Sequence, residues 1–540
     1  MFSDDRFRDY QPANLRKDFI SGITVGIVAI PLGMAFAIAS GVNPEYGIYT
    51  TIIAGLIVAL LGGSRFQIAG PTGAFIPILL AVVLQYGYEN LLIAGLMAGV
   101  LLVIMGIFRL GNLIHYIPRS VTIGFTTGIA VIIFTGQLGN FLGLSELDKK
   151  EYFHQNMLEL FQHIANVNGY SILTALTGIS AIILVTRFAP RAPILLVALI
   201  IPTTIAVLFY PNQLDTIGTV FGEIPQTLPH FHLPEITLAK IQELWQPALV
   251  IAALGAIESL LSAVVADGMT GKRHRSNKEL FGQGIANIIT PLFGGIPATG
   301  AIARTATNIR SGAVSPFSGV IHSVFVLATL LLLAPYASHI PLAAMAPLLM
   351  FVAWNMSEYK AFSQIIKLKT GDSLVLLATF LLTVFVNLTV AVQVGLLLAI
   401  LSFIKKKSES LQVENRKQNS LDLTAHFRHM TFAIKGPLFF GTAQAFEQSF
   451  HSTVQSAPHV IILNMSEVTL IDATGEEKLA SFIAGIKKMN RIVFIAGLPD
   501  WGVELFKRSG LYDVIGSTSF FLNEEDAIQA ATQLEYTTGD

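Results

Sequence analysis

Two stretches of the sequence interrupt apolar runs with glycine-rich turns, in corresponding places of a long hydrophobic region. The first runs from Leu61-Gly62-Gly63 to Gly70-Pro71-Thr72-Gly73-Ala74, and the second from Phe293-Gly294-Gly295 to Ala298-Thr299-Gly300-Ala301. An apolar segment broken in this way predicts a discontinuous helix, and two of them in matching halves of a membrane protein usually face each other at a midplane site. Because helix N-termini present unpaired N–H groups and positive dipole ends, such a site suits an anion. The pattern is typical of a transporter.

Two charged residues fall inside the predicted membrane segments. Arg304 lies about one turn into the half-helix that starts near Thr299, and an intramembrane arginine normally faces a cavity or a partner. We expect it to attract the anion, the alternative being a structural pair with a carboxylate or a helix C-terminus. Glu258 lies in the middle of an apolar run, where its charge beside an anion must be neutralised. A bound proton or Na⁺ would do so and couple a cation to the anion; the alternative is a salt bridge to Arg304.

The elements that must position these residues are membrane helices. Hydrophobic residues make up 53% of the 540 and charged residues 13%, which is far from soluble globular composition. Cysteine is absent, which excludes disulfides and thiolate chemistry. Twelve ordinary runs suit a bilayer crossing: Ile20–Ala39, Tyr46–Leu61, Leu91–Phe108, Ser120–Leu138, Ser171–Thr186, Ile194–Phe209, Pro247–Ala266, Leu280–Phe293, Val314–Leu333, Leu342–Trp354, Leu374–Val386 and Val390–Ile404.

The two broken segments, Phe66–Leu84 and Pro297–Ile309, bring the predicted count to fourteen spans, arranged as seven plus seven. An odd number of spans per half makes the two repeats inverted. The distribution of basic residues is consistent with this count, because nearly all of them fall in loops on one side, whereas Lys149, Lys150 and Lys240 fall on the other. We therefore predict an inner membrane protein with both termini in the cytoplasm.

The composition changes after Lys407. Residues 408–420 read as a polar linker, and residues 421–540 as a small cytoplasmic α/β domain. Its predicted strands are Leu421–Ile434, His459–Leu463 and Arg491–Ala496, and its predicted helices are Ala443–His451, Gly475–Met489 and Trp501–Ser509. The predicted architecture is thus an all-α membrane domain over residues 1–407, with short strands in its discontinuous helices, followed by this α/β domain.

Several motifs together resemble the sulfate permease (SulP) anion transporter family, to which prestin and pendrin also belong. The resemblance covers essentially the whole chain, and residues 421–540 resemble the STAS domain that ends such proteins. The motifs are Gly22-Ile23-Thr24-Val25-Gly26, Ile30-Pro31-Leu32-Gly33-Met34-Ala35-Phe36-Ala37, Gly62-Gly63-Ser64-Arg65, Gly70-Pro71-Thr72-Gly73, Gly255-Ala256-Ile257-Glu258-Ser259-Leu260-Leu261, Asp267-Gly268-Met269-Thr270-Gly271 and Ala301-Ile302-Ala303-Arg304-Thr305.

The resemblance implies a division of labour in the membrane domain. Spans 1–4 and 8–11 would form a core that carries the substrate site, and spans 5–7 and 12–14 a gate. It also implies an elevator-like movement of core against gate, and a homodimer. By this resemblance the substrate site comprises Phe36, Gly70, Thr72, Gly73, Gly300, Ala301, Ile302 and Arg304, and Glu258 couples the cation. For Phe36 the alternative is ordinary helix packing. For Gly70, Gly73 and Gly300 it is close packing among small residues, which can hold at the same time.

Alternatives stay open at four further positions. Where better-known animal members carry serines, this chain has Ala301 and Ala303, so backbone amides would have to bind the anion. His322 is more simply explained by packing or a backbone hydrogen bond than by proton relay. Thr474 matches a phosphorylation site of the related anti-sigma-factor antagonists, but capping of a helix near Gly475 by Thr474 or Asp472 is the stronger expectation.

The sequence therefore predicts a secondary active transporter of sulfate, bicarbonate or a dicarboxylate, coupled to H⁺ or Na⁺ and needing no other cofactor. It predicts no enzymatic activity, no metal site and no nucleic-acid partner. An uncoupled exchanger or channel on the same fold is the closest alternative, and a membrane-tethered signalling protein is a distant one. A coupling carboxylate favours the transporter over the channel, and two complete broken segments favour transport over signalling.

Overall fold

The computed structural model describes residues 6–7, 10–112, 117–144, 147–150, 152–189, 192–416, 429–451 and 459–537. The chain forms two compact units, Met1–Leu397 and Leu398–Asp540. The first is helical and the second is a mixed α/β domain, which confirms the predicted fold class.

Long helices make up most of the first unit. Proline at the first position of α1 and of α2 suits a helix start, where no N–H partner is needed. In the described ranges the helices are α1 (Pro12–Ala39), α2 (Pro44–Leu61), α3 (Ile76–Tyr86), α4 (Tyr88–Ile107), α5 (Arg119–Gly136), α6 (Leu138–Leu142), α7 (Phe153–Gln162), α8 (Gly169–Phe188), α9 (Ile194–Phe209), α10 (Ile217–Phe221), α11 (Leu238–Thr270), α12 (Ser276–Ile289), α13 (Ile302–Arg310), α14 (Phe317–Ala337), α15 (Leu342–Met356), α16 (Tyr359–Lys367), α17 (Gly371–Phe385) and α18 (Leu388–Ser408).

Each of the twelve ordinary predicted segments overlaps one of these helices. Within the part of the chain that the structure describes, eight helices are long and apolar enough to cross a bilayer, and three apolar stretches are shorter. The fourteen-span count and the inverted repeat stay predictions.

Both broken segments contain a short strand before their helix. In the first, β1 (Ala69–Gly70) precedes a 3₁₀ turn and α3; in the second, β2 (Thr299–Gly300) precedes α13. The half-helix expected to start near Thr299 begins instead at Ile302, because Thr299 and Gly300 pair with β1. Discontinuous helices carrying short strands are therefore present, as predicted.

Close backbone approach fixes α12 against α4, beside the second broken segment. A Cβ on Gly99 would lie 2.7 Å from the backbone nitrogen of Ile288, and one on Gly284 would lie 2.6 Å from that of Val103. Small residues that let helix backbones meet are typical of membrane helix packing. α12 is thereby held where Asn287 brackets Ala298, accepting from its N–H and donating to its carbonyl, both at 2.8 Å.

The second unit has a five-stranded sheet in the order β3-β4-β5-β6-β7. Only the β3–β4 pair is antiparallel, and the other neighbours are parallel. Its aliphatic and aromatic core includes Phe432, Leu463 and Ile483. The strands are β3 (Gln412–Arg416), β4 (His429–Leu438), β5 (Val460–Ile471), β6 (Ile492–Ala496) and β7 (Phe520–Phe521), and the helices are α19 (Ala443–His451), α20 (Ala473–Lys488), α21 (Asp500–Ser509), α22 (Leu511–Ile515) and α23 (Glu524–Thr537).

Two features of this unit differ from the sequence prediction. The polar range 408–420 contains β3, an edge strand whose charged and amide side chains hide its strand character. The second predicted strand, His459–Leu463, extends to Ile471 because β5 continues beside β4 through two register shifts. Residues 421–428 of the first predicted strand lie outside the described residues.

Candidate functional site

The two broken segments cross through their short strands. Ala69 is paired with Gly300 and Gly70 with Thr299, in antiparallel register. The Ala301 N–H donates to the carbonyl of Ile68 at 2.8 Å, which extends the pairing to the start of α13. The predicted site residues of the two halves, which are more than two hundred positions apart in sequence, are therefore brought together at this crossing.

α11 supports the crossing through Ser259. Its Oγ lies 2.7 Å from Thr299 Oγ1 and accepts the Gly300 N–H at 3.1 Å, while Thr299 Oγ1 donates to the carbonyl of Gly255 at 3.1 Å. Glu258 directly precedes Ser259, so it belongs to the helix that these bonds attach to the crossing.

Arg304 is 2% exposed, yet only part of its guanidinium is bonded. Nη2 donates to the carbonyl of Pro71 at 3.1 Å, whereas Nη1 is buried and has no hydrogen-bond partner among the described residues. A Cβ on Gly70 would lie 2.5 Å from Nη1, so glycine is required for this approach. The Arg304 Cζ lies 6.0 Å from the ring centroid of Phe36, within the reach of a cation–π contact.

Thr72 contributes a second unpartnered group. Its Oγ1 is buried and makes no hydrogen bond within the described ranges, although it directly follows the proline that binds Arg304. Buried polar atoms are normally paired, so an orphaned donor on each half of the crossing indicates a polar ligand. Gly73 starts the 3₁₀ turn beyond it, and a Cβ there would lie 2.9 Å from Met356 Sδ.

Both half-helices begin without side-chain caps. Ala301 is the N-cap of α13 and Thr72 that of the 3₁₀ turn, and neither makes a capping hydrogen bond. Ile302 and Ala303, in the first turn of α13, are exposed, Ile302 by 37%. Among the described residues, no capping side chain accepts from the N–H groups of this turn, which is what the replacement of hydroxyl side chains by Ala301 and Ala303 requires of an anion site.

Glu258 is 6% exposed, and no described residue forms a hydrogen bond or ion pair with its carboxylate. The alternative of a salt bridge to Arg304 is therefore wrong for this structure. The physical reason is that the guanidinium is directed at the Pro71 carbonyl and the Gly70 backbone. A buried carboxyl without a cationic partner needs a proton or a metal ion to offset its desolvation.

His322 of α14 is fully buried, and both ring nitrogens are without hydrogen-bond partners in the described part of the chain. The expected backbone hydrogen bond is therefore absent, and packing remains as the simpler role. Its Nδ1 lies 3.4 Å from where a Gly55 Cβ would stand, so the ring packs against α2.

Several residues that build the site were not singled out from the sequence. Thr305 Oγ1 accepts the Ile68 N–H at 3.1 Å and the Ser262 hydroxyl at 3.2 Å, and Gln67 Nε2 donates to the Ser259 carbonyl at 2.9 Å. The sequence did contain a pattern that could have identified the residues contributed by α11. Gly255, Ser259 and Ser262 follow one another at spacings of four and three, which places small and hydroxyl side chains on one face of α11.

In the α/β unit, Asp472 caps α20. Its Oδ1 accepts the Gly475 N–H at 2.8 Å and its Oδ2 accepts the Phe440 N–H at 3.1 Å. The capping role is thus confirmed for Asp472. Thr474 lies half-buried in the first turn of α20, and its modification stays a prediction.

Comparison with known proteins gives consistent results. The "Sulfate permease family" model matches residues 15–379, and the "STAS domain" model matches residues 420–527. The chain is 52% identical to "Putative sulfate transporter YvdB" of Bacillus subtilis (strain 168), over 96% of this chain and 98% of that protein. It is 29% identical to "Bicarbonate transporter BicA" of Picosynechococcus sp. (strain ATCC 27264 / PCC 7002 / PR-6), over 96% of this chain and 95% of that protein.

Solved structures share the fold. The transmembrane domain of a cyanobacterial bicarbonate transporter BicA superposes with a TM-score of 0.65 at 30% identity, covering 73% of this chain and 98% of that one. Murine Solute Carrier 26 family member A9, described as an anion transporter in the inward-facing state, superposes with a TM-score of 0.87 at 19% identity. The match covers 97% of this chain and 92% of that one. With the family model matching most of the membrane unit and these relatives matching nearly the whole length, the chain belongs to the sulfate permease family.

Proposed function

We propose that this membrane protein is a secondary active transporter that binds a small oxyanion where β1 and β2 cross. The observation that carries the proposal is the buried guanidinium of Arg304, one nitrogen of which has no partner among the described residues, beside the uncapped start of α13. A cation and free N–H groups converging on one point match the charge and the hydrogen-bond needs of an oxyanion.

The names of the relatives guide the choice of substrate. YvdB is named for sulfate and BicA for bicarbonate. Both anions carry several acceptor oxygens around one centre, which the Arg304 Nη1, the Thr72 hydroxyl and the first-turn N–H groups of α13 would bind from different directions. A dicarboxylate such as fumarate or succinate is the third substrate to test.

Cation coupling is assigned to Glu258. The carboxyl group is buried and unpaired within the described residues, and the neighbouring Ser259 contacts β2 directly. Uptake of H⁺ or Na⁺ at Glu258 would remove a charge that opposes anion binding, so cation and anion would bind together. No other cofactor is needed for this mechanism.

Alternating access would be achieved by an elevator-like movement of the core, spans 1–4 and 8–11, against the gate. In this proposal the protein is a homodimer in the bacterial inner membrane, with both termini and the STAS domain in the cytoplasm. Support comes from the fold shared with Solute Carrier 26 family member A9 and from the basic residues concentrated in the loops on one side.

The test is uptake by the purified protein in liposomes, with labelled sulfate, bicarbonate and succinate under imposed pH and Na⁺ gradients. We expect concentrative uptake of at least one anion, driven by one of the two gradients. Exchange of internal for external anion without any gradient-driven accumulation would establish the uncoupled exchanger instead. Conduction that follows voltage alone would establish the channel, and no anion flux at all would contradict transport.

A further inference from the structure

α16 lies on the surface of the helical unit. None of its residues is buried, and the chain enters it through Glu358, whose φ of 41° turns the backbone sharply. One side of the helix packs on its neighbours: Phe362 meets Phe380 of α17 edge to face at 5.2 Å, and Ala361 and Ile365 are half-buried. The rest of its circumference is open.

The open circumference is divided by chemistry. Tyr359 and Ile366 are seven residues apart and form an exposed apolar stripe, while Lys360 and Lys367, also seven apart, form an exposed cationic stripe. At 3.6 residues per turn the two stripes lie roughly a quarter turn from each other. This arrangement is typical of a helix lying in the plane of a membrane interface, with one side toward hydrocarbon and the next toward headgroups.

A recess adjoins the start of α16. Trp354, at the end of α15, is 58% exposed; its ring lies 5.3 Å from that of Tyr359, and Lys360 Nζ lies 5.9 Å from the Tyr359 centroid. Tryptophan and tyrosine favour the headgroup level of a bilayer. The recess has a volume of about 250 Å³ and is lined by Trp354, Asn355, Glu358, Tyr359, Lys360 and Ala361.

The charge of this surface is positive. The surface carries three exposed lysines, Lys360, Lys367 and Lys369, and one exposed acidic residue at the recess, Glu358. Asp372 of α17 accepts a hydrogen bond from Ser120. The distribution of basic residues predicts that the segment between α15 and α17 faces the cytoplasm. Basic clusters at the cytoplasmic face attract anionic lipid.

We propose that α16 and the end of α15 form a binding site for an anionic phospholipid. The phosphate lies between Lys360 and Lys367, and an acyl chain runs along Ile366 and Tyr359 toward Trp354. Charge complementarity selects an anionic headgroup over a zwitterionic one, and the apolar stripe selects a bilayer lipid over a free phosphate. The residues that line the recess are different from those that form the crossing of β1 and β2.

Trp354 supplies the probe, because the sequence has three tryptophans and the other two, Trp245 and Trp501, are exposed and can be changed to phenylalanine without opening a cavity. The full-length Trp245→Phe, Trp501→Phe protein is reconstituted in vesicles containing brominated phosphatidylglycerol or brominated phosphatidylcholine. We expect stronger quenching of Trp354 by the anionic lipid. Lys360→Gln with Lys367→Gln should lower the relative affinity for it by roughly fivefold per lysine.

Two matched variants control for charge and folding. Lys360→Arg with Lys367→Arg should keep the lipid preference, and Lys240→Gln, which removes a lysine predicted to lie on the opposite side, should leave it unchanged. The proposal is overturned by equal quenching by the two lipids, by no quenching by either, or by a preference that survives Lys360→Gln with Lys367→Gln. Quenching by neither lipid would mean that another protein surface covers Trp354.

Discussion

Arg304 is bonded through one guanidinium nitrogen and unpartnered at the other within the described residues. The bonded nitrogen fixes the orientation of the side chain against the Pro71 carbonyl, so that the unpartnered one points at the crossing without a further loss of side-chain entropy. This is the arrangement expected of a binding group whose orientation is set before the ligand arrives.

Replacing Arg304 tests that arrangement. We expect Arg304→Ala to weaken anion binding by about ten- to a hundredfold, because hydrogen bonds to charged groups contribute about 1.5–3 kcal/mol. Arg304→Lys should be partly active, since it keeps the charge and loses the fixed geometry. Calorimetric or thermal-shift titration measures the affinity, and Arg310→Ala, at the exposed end of the same helix, is the control. Unchanged affinity in a folded Arg304→Ala protein would rule out the assignment.

Glu258 separates coupled transport from exchange. Glu258→Gln mimics the neutral acid, so we expect anion binding and exchange to persist while accumulation against a gradient is lost. Counterflow exchange and gradient-driven uptake are measured in the same liposomes. Glu243→Gln, at an exposed position of the same helix, should retain both activities. If Glu258→Gln still accumulates anion at the original level, the coupling cation binds elsewhere.

At the level of elements, the crossing of β1 and β2 is a tightly packed joint. A Cβ on Gly300 would lie 1.7 Å from Gln67 Nε2, and the same side chain donates to the Ser259 carbonyl. The strands, the start of α13 and the supporting face of α11 therefore depend on one another.

Gly300→Ala should loosen this joint. The methyl group has to displace Gln67, and overpacking of this kind typically costs about 1–3 kcal/mol. We expect the midpoint temperature of thermal unfolding to fall. We also expect weaker anion binding, because the strands position Arg304 and Thr72. Gly268→Ala is the matched control, since nothing lies within 4 Å of a Cβ at that helical position. Equal midpoints for the two variants would mean that the crossing does not constrain the fold.

How far the sequence predicts these elements depends on whether their cause is local. Long apolar runs and glycine-rich breaks are local, so the helices and the two discontinuous segments were found. The sequence did not predict the start of α13 at Ile302 or the role of Ser259, because both depend on contacts between distant parts of the chain. Strand β3 was missed because an exposed edge strand needs no apolar alternation.

At the scale of the whole molecule, the antiparallel pairing of β1 with β2 bears on the direction of the two halves. The chain runs in opposite directions through β1 and through β2, as an inverted repeat requires. An even number of crossings per half would give both broken segments the same direction through the membrane.

The absence of cysteine makes the topology directly measurable. Single cysteines replace Lys272 in the exposed turn between α11 and α12, Glu409 just after α18, and Gln162 at the end of α7, all of them exposed. With fourteen spans and a cytoplasmic N-terminus, a membrane-impermeant maleimide should label Lys272→Cys and Glu409→Cys only in inverted vesicles. It should label Gln162→Cys only in right-side-out ones. One missing or extra span would move every later loop to the other side of the membrane. Labelling of Lys272→Cys from outside would therefore contradict the seven-plus-seven arrangement. It would also contradict the opposed half-helices on which the proposed anion site depends.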